Sequence, residues 1–220
     1  MCSNQTDFFV PTSLSPFSSR RSCLSLLAAT LFIAGCSTVP VASNQQLQST
    51  RIYAKQAEIG GRLSLRYDQR GEPQSSHGSF TWSQQLARTD VALLSPLGQT
   101  VATIAITPTM ATLTQSARAP ESAPDADSLI QNVIGWPLPI NGLQNWLQGF
   151  WIDRQGKRIA VTPSNDPVTI TTPDNWRIHY VSWEADAQQT LRPKRIDLSR
   201  DTQQAGTVAI RIVIDTWQTR

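Results

Sequence analysis

Apolar and polar residues alternate one-for-one along most of the stretch from Ile59 to Trp217, and the alternation breaks once, near the middle. Ile59, Gly61, Leu63, Leu65 and Tyr67 alternate with Arg62, Ser64 and Arg66, and Asp68-Gln69-Arg70-Gly71 then offers turn residues. Phe80 and Trp82 alternate with Ser79, Thr81 and Ser83, and Val91 with Leu93 follows. Ile104 and Ile106 come next, with Met110 to Thr114 returning after Pro108. A period of two puts successive side chains on opposite faces, so each run predicts a strand with one apolar face. Consecutive strands of this kind joined by turns predict an antiparallel meander.

The interruption has helical spacing. Asp125 or Asp127 can cap a helix carrying Leu129, Ile130, Val133 and Ile134, stopped by Gly135 and Pro137. Asn141 is placed to cap a second, with Leu143, Trp146 and Leu147 as its stripe and Gly149 as terminator. Alternation resumes at Arg158 to Val161, Val168 to Thr171 and Trp176-Ile178-Tyr180. It continues through Ile196-Leu198 and Val208-Ile210-Ile212-Ile214. A further helix is expected from Asn44 to Ala57, with Leu47, Arg51 and Ala54 on one face. Strands, two helices, then strands again predict one α+β domain.

The first residues follow another grammar. Arg20-Arg21 precede an apolar run from Cys23 to Gly35, shorter than the ~20 residues a spanning helix needs. Basic residues, a short apolar run and small residues predict a cleaved export signal. Ile33-Ala34-Gly35-Cys36 resembles the bacterial lipobox, which implies a diacylglyceryl group on the Cys36 sulfur and cleavage before it. The expected organisation is a signal peptide over 1–35, a lipidated tether over 36–46 and a single domain over 47–220. Ser37 follows the cysteine; in Gram-negative sorting, serine there implies passage to the periplasmic face of the outer membrane, where aspartate implies retention in the inner one.

Composition narrows the chemistry. Nineteen basic residues against 16 acidic give a net charge of +3, and no block of like charge occurs, so a nucleic-acid partner is not expected. Cys2 and Cys23 fall in the leader and Cys36 carries lipid, which leaves the domain without a disulfide. His77 and His179 have no ligand-spaced partner, so neither a metal nor another cofactor is expected. There is no Gly-x-Ser-x-Gly elbow and no phosphate-binding loop, and Asp125 and Asp127 suit helix caps better than an acid–base pair. An enzyme is not expected.

Three blocks resemble the LolB family of outer-membrane lipoprotein receptors. They are Val91-Ala92-Leu93-Leu94-Ser95-Pro96-Leu97-Gly98-Gln99-Thr100; Ile134-Gly135-Trp136-Pro137-Leu138-Pro139-Ile140 with Leu143, Trp146, Leu147 and Gly149; and Asn175 to Tyr180 with Pro193 to Leu198 and the strand ending at Trp217. The resemblance implies an incompletely closed antiparallel β-barrel enclosing an apolar cavity, with helices plugging one opening. It implies a receptor that takes lipidated proteins from a LolA-type periplasmic carrier and inserts them into the outer membrane, itself held there by the lipid on Cys36. Departures are the long leader and the Pro/Ala-rich connection Arg118 to Pro124.

The resemblance also places the family's functional leucine at Leu97. Pro96 lacks an amide hydrogen and Gly98 tolerates positive φ, so the Pro96-Leu97-Gly98 loop can project one side chain outward. An exposed leucine forgoes ~1.5–3 kcal/mol of burial, enough to bias orientation at a bilayer and too little to anchor a protein. Candidates to line an acyl-chain cavity are the inward positions Leu63, Leu65, Phe80, Trp82, Val91, Leu93, Ile104, Ile106, Trp146, Ile178, Tyr180, Ile196, Leu198, Ile210 and Ile212. Spacing does not separate those that line a void from those that fill a core. Arg62, Arg66 and Arg88 could meet the carrier or stand as solvated strand positions. The protein is expected to act as a monomer; the competing expectation is a scaffold for outer-membrane machinery that moves no lipid.

Overall fold

The computed structural model describes residues 51–219; the leader, Cys36 and the tether lie outside them. The elements run β1 (Ala57–Gln69), β2 (Glu72–Gln84), β3 (Thr89–Leu94), β4 (Thr100–Ile106), β5 (Ala111–Gln115) and β6 (Glu121–Ala123). Then come α1 (Ala126–Ile134), α2 (Ile140–Trp146), β7 (Phe150–Ile152), β8 (Arg158–Ala160) and β9 (Val168–Thr171). The chain closes with β10 (Arg177–Ala185), β11 (Leu191–Thr202) and β12 (Gly206–Thr219).

Ten strands form one antiparallel sheet in the order β6-β5-β4-β3-β2-β1-β12-β11-β10-β9, and β7 pairs with β8 alone. Register turns the sequence alternation into a continuous apolar face. Trp82 stands opposite Val91, Val91 opposite Ile104, and Ile104 opposite Leu113. On the other side Leu63 faces Ile212, Ile212 faces Ile196, and Ile196 faces Tyr180. A slip of one residue would send all of these outward, so burial fixes the pairing. The edge strands β6 and β9 do not pair with each other, and the sheet is open. The architecture is therefore α+β, an open antiparallel sheet with two helices. β6 lies within the Pro/Ala-rich connection, where alternation is too short to announce a strand.

Asp125 is the α1 cap: its Oδ1 accepts from the Ser128 amide at 2.8 Å. Gly135 ends the helix at φ 85°, a conformation a side chain would strain. The expected Asn141 cap is corrected. α2 starts after Pro139, whose fixed φ suits a helix start, and Asn141 lies inside the first turn. The Asn141 amide donates to Asp127 Oδ1 at 2.9 Å, so a carboxylate from α1 caps α2. Burial pushes the Asp127 carboxyl above its usual range, and the hydrogen bond from Asn141 only partly offsets that.

The expected helix from Asn44 to Ala57 is also corrected where it is described. Residues 51–54 are irregular and Ala57 already belongs to β1. Long-range bonds hold this segment extended. The Arg51 guanidinium donates to the carbonyls of Leu191 at 3.0 Å, Gly149 at 2.9 Å and Val161. It also lies over the Trp183 and Phe150 rings. Burial pulls Arg51 down to about 10, leaving it charged at neutral pH. The Ala54 amide donates to Gln148 Oε1 at 2.9 Å instead of to a helical carbonyl.

Candidate functional site

Five adjacent strands, β4, β3, β2, β1 and β12, turn nine of the expected inward residues toward α2. They are Leu63, Leu65, Phe80, Trp82, Val91, Leu93, Ile104, Ile210 and Ile212. Facing them are Leu138, Pro139, Ile140, Leu143 and Leu147, and about 140 Å³ remains between the two sets. Every lining residue is apolar. Leu143 and Leu147 reach this space because they are four residues apart on one helical face. Their stripe is visible in sequence as a packing face; its position over a pocket is not.

The remaining six candidates do not line this pocket. Ile178, Tyr180 and Ile196 are 0 % exposed and Leu198 is 1 % exposed. Trp146 and Trp176 pack together beside them with ring centroids 6.4 Å apart. The Tyr180 hydroxyl donates to the Trp146 carbonyl at 3.1 Å. These side chains belong to the core, where the Tyr180 ring also stacks on Trp183 with centroids 5.2 Å apart. Ile106, at the end of β4, sits beside the β2–β3 and β4–β5 turns.

The apolar pocket leads somewhere. A larger depression of about 640 Å³ shares Leu65, Leu93, Ile104 and Leu138 with it, and adds Tyr67, Ile134 and Trp136. Its rim carries Gln69, Arg70, Gln115 and Gln204, residues at the β1–β2 turn, the end of β5 and the β11–β12 turn. In an antiparallel meander these turns lie at one end of the sheet, and the β3–β4 turn belongs to the same end.

That β3–β4 turn carries Leu97. The Gly98 amide donates to the Ser95 carbonyl at 2.8 Å, and the Ser95 amide to the Gln99 carbonyl at 2.8 Å. Pro96 occupies the position where a fixed φ helps the turn, and Gly98 takes φ 80°. With its backbone held this way, Leu97 is 88 % exposed, the most exposed large apolar side chain among the described residues. The neighbouring Val101, on β4, is 48 % exposed.

Sequence patterns do not reveal the polar network that seats α2. Gln148 is fully buried and donates to the Ala54 carbonyl at 3.1 Å and to Gln84 Oε1 at 3.4 Å. Gln84 in turn donates to the Tyr53 hydroxyl at 3.0 Å. This network and Arg51 tie the entering segment to the end of α2, next to the pocket. Gln148 also donates to the Gln144 carbonyl at 3.4 Å, but its bonds to Ala54 and Gln84 span 94 and 64 residues and leave no local signal.

The family model described as outer membrane lipoprotein LolB matches residues 55–217. The outer-membrane lipoprotein LolB of Cupriavidus necator is 35% identical over 198 residues, covering 90% of this chain and 96% of that protein. The protein of the same name from Cupriavidus metallidurans is 32% identical over 201 residues, with 90% and 96% covered. Among solved structures, a LolA superfamily protein from Nitrosomonas europaea aligns with a TM-score of 0.43 at 8% identity, over 77% of this chain and 88% of that one. That likeness is too slight to carry weight; the sequence matches are not, and with the ordered blocks around Leu97 and α2 they place this chain in the LolB family of outer-membrane lipoproteins.

Proposed function

We propose that the protein is a receptor that takes lipidated proteins from a LolA-type periplasmic carrier and passes them into the outer membrane, sheltering their acyl chains in an apolar cavity. The observation that carries this is the wholly apolar lining of the pocket, continuous with a depression that opens at the end bearing Leu97. In this reading the open sheet is an incompletely closed barrel, and α1 and α2 plug one opening. The nine pocket-facing sheet residues hold the cargo's chains, and Cys36 carries the receptor's own anchor.

Magnitudes fit transfer without chemical energy. Each methylene exposed to water costs ~0.8 kcal/mol, so cargo with long chains must pass between apolar compartments. A space of about 140 Å³ is the size that takes a benzene-sized group, not a whole acyl chain. Loaded chains therefore extend into the larger depression, or α2 and the segment before it yield at Leu143 and Leu138. Leu97 then enters the bilayer as cargo leaves, with the protein acting as a monomer.

The test incubates the purified protein with carrier loaded with a lipidated protein, without ATP, and then adds liposomes. Cargo is expected to move to the receptor and then to the liposomes. Leu97→Glu is expected to leave folding and uptake intact while delivery to liposomes falls. Cargo that stays on the carrier would instead favour a scaffold.

A further inference from the structure

The outer face of the sheet carries a feature unconnected with the apolar pocket. Ser64, Arg211, Asp197, His179 and Thr169 form one cross-strand row over β1, β12, β11, β10 and β9. In the next row Arg66 stands opposite Ala209, Ala209 opposite Ser199, and Ser199 opposite Arg177. Ala209 offers one methyl amid long side chains, and a depression of about 370 Å³ lies there. Arg66, Arg177 and Arg211 line it together with the Asp197 carboxylate, the His179 ring and the hydroxyl residues Ser64, Ser199 and Thr169.

Its charges are not balanced. Asp197 is shared between two guanidiniums, with Arg195 Nη2 at 2.7 Å and Arg211 Nε at 3.0 Å. Burial raises its carboxyl, but the bonds from Arg195 and Arg211 outweigh this and hold it below the ordinary range. Arg177 Nη2 is 3.6 Å from Asp201, whose Oδ1 also accepts from the Thr207 hydroxyl at 2.7 Å. The Arg177 Nε donates to Ser199 Oγ at 3.2 Å, which holds the guanidinium beside a second lining residue of the depression. Arg66 makes no ion pair among the described residues. Four guanidiniums thus meet two carboxylates, and the unpaired one stands at the edge of a concave, hydroxyl-lined surface.

We propose that this depression binds a phosphate group, with Arg66 and Arg177 as its main donors and Arg211 and the Ser64 hydroxyl completing the shell. Planar guanidinium forks match phosphate oxygens two at a time, and a hydroxyl supplies the donor a third oxygen needs. Asp197 does not repel such a group, because its own charge is taken up by Arg195 and Arg211. The depression lies toward the same end of the strands as Leu97, so a membrane-lipid headgroup is one source of the phosphate; a free phosphate is the other. The inference is independent of cargo handling in the apolar pocket.

The test follows backbone and His179 ring signals of the full chain in neutral detergent by nuclear magnetic resonance. Inorganic phosphate and glycerophosphoglycerol, a headgroup without acyl chains, are titrated separately, and vesicles of phosphatidylcholine with and without phosphatidylglycerol form the third arm. Saturable shifts centred on Ser64, Arg66, Arg177 and His179, weakening with added salt, are expected. The Arg66→Gln, Arg177→Gln double variant should bind about tenfold or more weakly at an unchanged unfolding temperature. Response to inorganic phosphate alone assigns a free phosphate; response to the headgroup or to the anionic vesicles assigns a lipid. No saturable shift in any arm, or shifts that the double variant retains in full, overturns the proposal.

Discussion

Two halves of the same inner face end differently. Under β10 and β11, Tyr180, Ile178, Ile196 and Leu198 are fully buried in one core with Trp146 and Trp176. Under β1 to β4 and β12, equivalent alternating positions meet α2 and the Leu138-Pro139 approach to it, and an apolar space is left. The strands are alike in pattern; the difference lies in what covers them. Two indoles fill one half, whereas a seven-residue helix and its proline-rich approach cover the other incompletely. Strand alternation decides which residues point inward, and the covering elements decide whether they find partners.

The contrast is most exposed by removing bulk on each side. Trp176→Ala is expected to cost about 3–5 kcal/mol in urea unfolding, because a cavity opens in a filled core. Leu143→Ala, beside existing space, is expected to cost less than about 2 kcal/mol. Equal losses would mean that the two halves are packed alike.

Adding bulk inverts the ranking. Ile196→Phe should destabilise by about 1–3 kcal/mol through overpacking, while Leu65→Phe should cost less than about 1 kcal/mol. Leu65→Phe should also lower uptake of a fluorescent fatty-acyl probe, and Ile196→Phe should not, once both are compared below their unfolding transitions. Unchanged uptake in Leu65→Phe would remove the pocket from lipid binding.

A smaller effect belongs to the packed half. Tyr180→Phe deletes the bond to the Trp146 carbonyl and should cost about 1 kcal/mol, leaving cargo uptake unaltered. The smallest concerns the helix pair that covers the pocket. Burial holds the folded Asp127 carboxyl above its ordinary value of 3.8, so the folded state favours its protonated form. The resulting stability is fully present below the unfolded value and is lost as pH rises through the folded one. Asp127→Asn keeps an oxygen for the Asn141 amide and should flatten the stability profile over that window, measured by thermal unfolding across pH. An unchanged profile would show that Asp127 is not the titrating group.

How much could be read in advance varies by element. The alternating segments of β1 to β5 and an aspartate cap for α1 follow local rules, since alternation and capping involve neighbours in sequence; that the cap is Asp125 and not Asp127 came from the structure. The Ser95–Gly98 turn is equally local: proline, an outward leucine and a glycine at positive φ occupy consecutive positions. The irregular course of residues 51–56 was illegible, because Arg51 finds its acceptors about 100 residues or more away. Asn141 had the right chemistry for a cap, yet Asp127 reached its amide from another helix. Trp146 had the right periodicity for a pocket wall, yet its carbonyl and ring serve the packed core.

By itself, the sequence determined the faces of the alternating strand segments, the α+β order of elements and a turn able to project Leu97, since each depends on contacts within a few residues. Only the tertiary structure decided which inward residues border empty space, where that space opens, and which arginines are left without a partner on the outer face. These are sums over distant elements: a void exists where no covering side chain is large enough, and a charge is unpaired where no neighbouring strand supplies its opposite.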